Sequence, residues 1–236
     1  MSLREPRNIV ETEDSPGDVK EIAAAIEEEI GSLPLRNTPA LRAIRRKYSR
    51  ALNSAKPEFV LRLARILCED EDRRWLAFEV LANHRETFER LDEAALESFG
   101  KGINSWGSVD AFARILSGPA WLNRKVSDRT ILRWARLEDR WWRRAALVST
   151  VALNSRSQGG TGDVARTLRL CRLLASDPDD MVAKALSWAL RALAVYDARA
   201  VKEYLGEYDG VLAARVKREV KNKLTTALKN SRRQGR

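Results

Sequence analysis

The chain has 236 residues, with 43 lysines and arginines against 33 aspartates and glutamates, which gives a formal net charge of +10 at neutral pH. Its length and its 44% hydrophobic content allow a folded core without disulfide bonds, and two cysteines with one histidine cannot supply four zinc ligands. No window approaches the roughly 18 uncharged apolar residues of a membrane helix, and no secretory leader pattern is present, so we expect a cytoplasmic protein without a membrane span.

The common cofactor motifs are missing as well. The sequence lacks the glycine-rich phosphate loop of nucleoside triphosphatases, the dinucleotide-binding fingerprint, the zincin motif and the α/β-hydrolase motif. We therefore expect neither a metal nor a nucleotide cofactor.

The apolar residues recur at intervals of three and four, which is typical of helices, whereas alternating strand patterns are absent. Residues 1–15 are predicted to form a loose tail, residues 16–229 a single domain, and residues 230–236 a basic tail. The segment Ser155–Gly162 is rich in glycine and serine, which favours a flexible insertion between two helices. Start signals predict helices near residues 18–30, 39–53, 57–68, 71–83, 92–101, 105–116, 127–136, 138–153, 163–175, 179–194, 197–208 and 210–229.

An internal repeat organises these helices. The segment Asp139–Thr150 aligns without gaps with Asp179–Leu190 at an offset of 40 residues, and a weaker copy begins at Glu71. Helix pairs that recur at about 35–45 residues are typical of HEAT-like arrays, in which each pair buries its apolar face against its neighbours. The predicted fold class is therefore all-α, a curved solenoid of HEAT-like helix pairs, with a concave surface suited to an extended partner.

The positive charge is concentrated in clusters. Residues 41–66 carry eight basic residues and one acidic residue, and residues 211–236 carry nine basic residues and one acidic residue. The stretch 124–144 is also rich in arginine. Such clusters are what a phosphate backbone requires, because neutralising phosphates releases condensed counterions. A solvated helix face and a frayed tail would produce the same composition, so both interpretations stay open.

Two groups of residues have a spacing that suggests chemistry. Trp106 and Asp110 are four residues apart, so they share one face of a helix if Asn104 or Ser105 caps it. Arg144 occupies the repeat position that holds Lys184 one repeat later, and Trp188 lies one helical turn beyond Lys184. An aromatic plane beside a carboxylate suits a sugar or a base. A core tryptophan beside a solvated aspartate is the simpler alternative.

The ordered set Trp106, Asp110, Arg144 and Trp188 resembles the AlkD-like family of DNA alkylation repair glycosylases, whose members are built from HEAT-like repeats. The strings that carry the resemblance are SWGSVD, WWRRAAL and AKALSWALR, and the similarity extends over roughly residues 38–208. The resemblance implies that Asp110 is the catalytic carboxylate and that Trp106 and Trp188 hold the nucleotide backbone at the lesion. It further implies that Arg144 contacts a phosphate or the catalytic face, and that the substrate is double-stranded DNA with purines alkylated at N3 or N7.

The basic helix starts would then hold the DNA backbone. The residues expected to do so are Arg45, Arg46, Lys47, Arg140, Arg143 and Lys184. We expect a monomer in the bacterial cytosol or nucleoid. Two alternatives remain open at this point: a non-catalytic protein that binds damaged or branched DNA, and a scaffold that binds an acidic protein partner.

Overall fold

The computed structural model of the chain describes residues 16–229, and every regular element within this range is helical. Both predicted tails, residues 1–15 and 230–236, lie outside the described residues. The α-helices are α1 (Pro16–Gly31), α2 (Thr38–Ala51), α3 (Pro57–Glu69), α4 (Arg74–Asn83), α5 (Arg85–Glu89), α6 (Glu93–Gly100), α7 (Trp106–Ala111), α8 (Gly118–Leu122), α9 (Asp128–Trp134), α10 (Arg140–Leu153), α11 (Val164–Leu173), α12 (Asp180–Leu193), α13 (Ala198–Glu207) and α14 (Ala214–Thr226). A π-helix (Phe112–Ser117) joins α7 to α8, and 3-10 turns span Glu71–Arg73 and Arg156–Gln158.

Capping residues start many of these helices. The side chain of Ser127 accepts a hydrogen bond from the backbone N–H of Thr130 at the start of α9, and Asp92 accepts one from Ala95 before α6. Such caps satisfy backbone donors that have no partner inside the helix. Helices α2 and α3 each have a proline in the first turn, where a missing backbone N–H leaves no helical hydrogen bond unmade.

The helices form two compact units that divide after Phe99. In the first unit, α3 packs against α1 and α4, and α2 packs against α4. The shared core contains Ile26, Leu63 and Leu76, all without solvent exposure. The expectation of a single domain over residues 16–229 stays a prediction.

In the second unit, α10 is the central helix. It packs against the π-helix, α8 and α12, and α12 in turn packs against α14. The predicted repeat is visible in the caps, because Asp139 and Asp179 each accept a hydrogen bond of 2.8 Å from the backbone N–H two residues later. The predicted all-α fold class is confirmed, because every regular element within residues 16–229 is helical.

The insertion Ser155–Gly162 lies between α10 and α11, as predicted, and it is held by specific contacts. The amide Nε2 of Gln158 donates to the carbonyl oxygen of Arg114 at 2.6 Å. The hydroxyl of Tyr196 donates to the carbonyl oxygen of Gly160 at 2.9 Å. Gly162 has a φ of 92°, and a Cβ there would lie 2.7 Å from the Tyr196 ring. The loop is therefore tied to the π-helix on one side and to the segment that follows α12 on the other.

Two local features differ from the predicted elements. Helix α5 was not predicted; the ring nitrogen Nδ1 of His84 caps it by accepting from the backbone N–H of Thr87 at 3.2 Å. The helix predicted to end at residue 116 instead continues through the π-helix into α8, which contains Trp121. Gly118 permits this continuation, because a Cβ there would lie 2.6 Å from the Ala113 carbonyl oxygen and 2.9 Å from the Ala152 Cβ.

No helix in residues 16–229 combines the length and the apolar character that a membrane span requires.

Candidate active site

The candidate site begins at the start of α7. Ser105 caps this helix through a reciprocal pair of 3.3 Å hydrogen bonds with Ser108, in which each hydroxyl accepts from the other residue's backbone N–H. The cap places Trp106 at the first helical position, where 65% of its surface is exposed. Asp110 follows one turn later and lies on the same helical face. An exposed tryptophan beside a carboxylate is the arrangement that the spacing predicted.

Asp110 and Arg144 form a two-pronged ion pair. Nε of Arg144 donates to Oδ1 of Asp110 at 2.9 Å, and Nη2 donates to Oδ2 at 2.8 Å. The Arg144 side chain is 6% exposed and the Asp110 side chain 19% exposed, so the carboxylate keeps a limited solvent-facing surface. Paired parallel hydrogen bonds of this kind fix both the distance and the plane of the carboxylate. The structure thus brings together two of the four residues in the predicted catalytic set.

Arg144 also reaches a third helix. Its Nη1 donates to the carbonyl oxygen of Met181, in the first turn of α12, at 2.6 Å. One buried guanidinium on α10 therefore joins the carboxylate of α7 to the start of α12. Such a connection holds Asp110 in a defined position relative to the helix that carries Trp188.

Opposing influences act on the Asp110 carboxyl. Burial raises its pKa above the ordinary value, while the Arg144 hydrogen bonds and the charges of Arg144 and Arg114 lower it, and burial is the stronger influence. Each oxygen of an ionised carboxylate has two lone pairs, and Arg144 occupies one on each oxygen. The remaining lone pairs can orient a water molecule or face a developing positive charge.

Arg114 is a site residue that the sequence analysis missed. It lies on the π-helix four residues after Asp110, and its guanidinium carbon is 5.5 Å from the centroid of the Trp188 ring. A π-helix turn often marks a functional position, because it shifts the side-chain register of the helix. Arg114 thus links the α7 face to Trp188, which is half-buried on α12. The four-residue spacing from Asp110 was the available signal.

Most of the predicted DNA-binding residues form ion pairs within the protein. Arg143 is the most constrained, because its Nε donates to Asp177 at 2.6 Å and its Nη1 to the Leu137 carbonyl oxygen at 3.0 Å. Lys184, the repeat counterpart of Arg144, pairs instead with Asp180 on its own helix at 2.8 Å. The other pairs are Arg140 with Asp179, Arg45 with Glu79, and Lys47 with Glu29, whereas the Arg46 side chain is exposed.

The first unit contains a basic cleft of its own. It is open, has a volume of about 450 Å³, and is lined by Arg45, Arg46, Ser49, Arg50, Asn53 and Asn83. The side-chain oxygen of Asn83 accepts from Arg45 at 3.5 Å, and Arg46 and Arg50 are exposed. Guanidinium and amide donors in one cleft suit phosphate oxygens. Lys47, which was predicted to bind DNA beside Arg45 and Arg46, is not among the residues that line this cleft.

Comparisons with known proteins identify the family and the fold of the chain. The profile of the family described as DNA alkylation repair enzyme matches residues 11–227. No curated protein matches the chain. Among solved structures, the chain is similar to one described as a predicted DNA alkylation repair enzyme from Enterococcus faecalis, with 15% identity, a TM-score of 0.65, and coverage of 92% of this chain and 99% of that one. At this identity the likeness shows a shared fold. Because the family profile matches most of its length, the chain belongs to the DNA alkylation repair enzyme family.

Proposed function

We propose that the protein is a monofunctional DNA glycosylase that excises cationic N3- or N7-alkylated purines from duplex DNA. The observation that carries the proposal is the carboxylate of Asp110, which Arg144 holds at both oxygens and which keeps some solvent exposure on the helical face that it shares with Trp106. Membership of the repair family supports the same reaction. The finer assignment rests on the chemistry that these residues can perform.

The lesion itself reduces what the protein must supply. An alkylated purine of this type carries a positive charge, and the electron pair of the breaking N-glycosidic bond neutralises it as the base leaves. No general acid is needed to protonate the leaving group. The protein must stabilise the oxocarbenium-like sugar and position a water molecule that attacks C1′. The products are the free alkylpurine and an abasic site in the DNA.

Asp110 can meet both requirements. Its negative charge lies close to the surface, where it can stabilise the positive charge that develops on the sugar. The lone pairs that Arg144 leaves unoccupied can accept a hydrogen bond from the attacking water, and the carboxylate can take the proton that this water loses. Arg144 keeps the carboxylate in place during the reaction and does not itself need to touch the substrate.

Trp106 and Trp188 are proposed to contact the deoxyribose at the lesion. Trp106 exposes most of its ring, which leaves an apolar face available for a sugar. Trp188 is half-buried and can present only part of its ring. Contacts with the sugar would leave the damaged base outside the protein, so this mode would not need the deep pocket that base-flipping enzymes use.

Contacts with the DNA backbone would come from the basic residues. Arg46 and Arg50, which are exposed in the cleft of the first unit, are available for phosphates, and Arg140 is 51% exposed despite its pair with Asp179. Arg45, Lys47, Arg143 and Lys184 would contribute mainly through the local potential while they hold their own partners. We further propose that the protein acts as a monomer, without a cofactor, in the compartment that contains the chromosome.

The test is the release of free bases from methylated duplex DNA, measured by chromatography, with unmodified duplex as the control. The proposal predicts free N3- or N7-alkylpurine and an equal number of abasic sites. Binding of the duplex without base release would favour the non-catalytic alternative. Absence of binding at low salt would favour the protein-binding scaffold.

A further inference from the structure

One positively charged side chain at the candidate site, that of Arg114, has no assigned role. Arg114 is exposed, its guanidinium lies over the ring of Trp188, and its charge acts on the carboxyl of Asp110. Within residues 16–229, no ion pair involves Arg114, whereas Arg144 and Arg143 are both held by carboxylates. Arg114 therefore retains its charge and its side-chain donors for a ligand.

The charge balance at the site indicates the sign of that ligand. Asp110 contributes one negative charge, and Arg144 and Arg114 contribute two positive charges, so the three groups together are positive. A cationic lesion would be repelled by this excess unless an anion neutralised it. In DNA, the anion next to every nucleoside is a phosphodiester.

The position of Arg114 over Trp188 is compatible with binding of a phosphate. All N–H donors of a guanidinium lie in its plane, and its flat face can stack on an indole. The Arg114 guanidinium carbon lies 5.5 Å from the Trp188 ring centroid, and no ion pair within residues 16–229 occupies its N–H donors, so its edge can meet two oxygens of one phosphate group. An indole that contacts a sugar would lie next to the phosphate attached to it.

The insertion Ser155–Gly162 contacts both elements that carry Arg114 and Trp188. Gln158 donates to the carbonyl oxygen of Arg114 itself, and Gly160 accepts from Tyr196 just after the helix that carries Trp188. Arg156, from the same insertion, lies 5.8 Å from the Tyr196 ring centroid. One short segment thus binds the two elements that bring Arg114 and Trp188 together.

We propose that Arg114 and Trp188 form a subsite for a single phosphodiester of the lesion-containing strand, beside the catalytic carboxylate. The subsite rests on the proposed function, because its ligand is the same duplex DNA. The subsite accounts for the position of the Arg114 guanidinium, which forms no ion pair within residues 16–229, beside a site proposed to act on cationic bases.

The test replaces individual phosphates by neutral methylphosphonates along the strand that carries N7-methylguanine, and measures duplex affinity by fluorescence anisotropy. Wild-type protein should lose affinity about tenfold at one position next to the lesion. The Arg114→Gln variant should bind unmodified backbone about tenfold more weakly and show no further loss at that position. Its slope of log affinity against log salt should be smaller by about one.

Two further variants separate this subsite from a general effect of charge. Arg199→Gln removes an equal charge from a residue that is 89% exposed and pairs with Glu203, and it should leave the methylphosphonate pattern unchanged. Arg114→Lys keeps the charge but loses the planar face, so it should keep the salt slope and lose part of the affinity. A thermal melt of each variant confirms that it is folded.

A methylphosphonate pattern that Arg114→Gln leaves intact, or an unchanged salt slope, would overturn the subsite. Base release by the wild-type protein is measured in parallel and answers a different question. Base release without a phosphate whose replacement affects wild type but not Arg114→Gln would support the glycosylase and contradict the subsite. Such a phosphate without release of the alkylated base would support the subsite and contradict the glycosylase.

Discussion

Arg144 donates to both carboxylate oxygens of Asp110, 34 residues away in the sequence, and also to the carbonyl oxygen of Met181 on α12. This pair connects fold and function, because the group that holds the candidate catalytic carboxylate also joins three helices. Any change at Arg144 is therefore expected to alter both the free energy of unfolding and the rate of base release. A change at an exposed residue such as Trp106 should alter the rate with little effect on folding.

Replacing Arg144 by methionine should destabilise the fold. The change leaves the largely buried Asp110 carboxylate without its partner and the Met181 carbonyl oxygen without its donor. Removing one member of a buried ion pair costs about 3–5 kcal/mol. Urea unfolding should show this loss, while Arg140→Met, at a pair that is half-exposed, should change the free energy of unfolding by less than about 1 kcal/mol. Equal effects of the two variants would contradict the structural role of Arg144.

Base release should depend on pH through Asp110. Burial raises the pKa of this carboxyl, and the reaction requires the ionised form. The rate should therefore fall as the pH is lowered through that raised pKa, which happens at a higher pH than for an ordinary aspartate with a pKa of about 3.9. The rate is measured from pH 4 to pH 8, with the rate of Asp110→Asn subtracted to remove spontaneous depurination. A rate that stays constant down to the ordinary aspartate range would contradict the assignment.

Trp106 should affect activity with little effect on folding. Trp106 is 65% exposed, so Trp106→Ala should change the free energy of unfolding by no more than about 0.5 kcal/mol. Base release should fall about tenfold or more, because aromatic contacts with nucleotides contribute about 1–3 kcal/mol. Trp106→Phe keeps an aromatic face and should retain most of the activity. Equal losses in the two variants would argue against a role for the aromatic face.

Arg140 and Arg143 are separated by less than one helical turn, yet their variants should differ. Arg143 is held by Asp177 and by the carbonyl oxygen of Leu137, so Arg143→Gln should mainly lower the melting temperature. Arg140 lies 4.7 Å from the Trp141 ring centroid and is half-exposed, so Arg140→Gln should mainly weaken DNA binding. Thermal melts and anisotropy titrations on the same samples distinguish the two effects. A normal melting temperature together with weak DNA binding would contradict the structural role of Arg143.

The helices could largely be read from the sequence, because their signals are local. Ser127 and Asp92 act within three residues, and the repeat that places Asp139 and Asp179 at matching caps is visible as a direct alignment. The continuation through Gly118 could not be read in this way. A glycine before a proline usually indicates a break, whereas here it allows close contact with α10, which is distant in the sequence.

The site was predictable where it depends on helical spacing. Trp106 and Asp110 share a face once Ser105 caps the helix, and this face follows from the sequence alone. The partners of Arg144 and Arg143 depend on which helices pack together, so composition could not reveal that one holds Asp110 and the other Asp177. The four-residue spacing of Arg114 from Asp110 is visible in the sequence, but its position over Trp188 exists only in the folded chain.

The central claim is that the Asp110 carboxylate drives base excision, and the most direct measurement compares wild type with Asp110→Asn. Both proteins are incubated at equal concentration with duplex DNA that contains N7-methylguanine, and free base and duplex affinity are measured on the same samples. The asparagine keeps an acceptor for Arg144 but has no charge, so release should be abolished while DNA affinity stays nearly unchanged. Equal release by the two proteins would contradict the account.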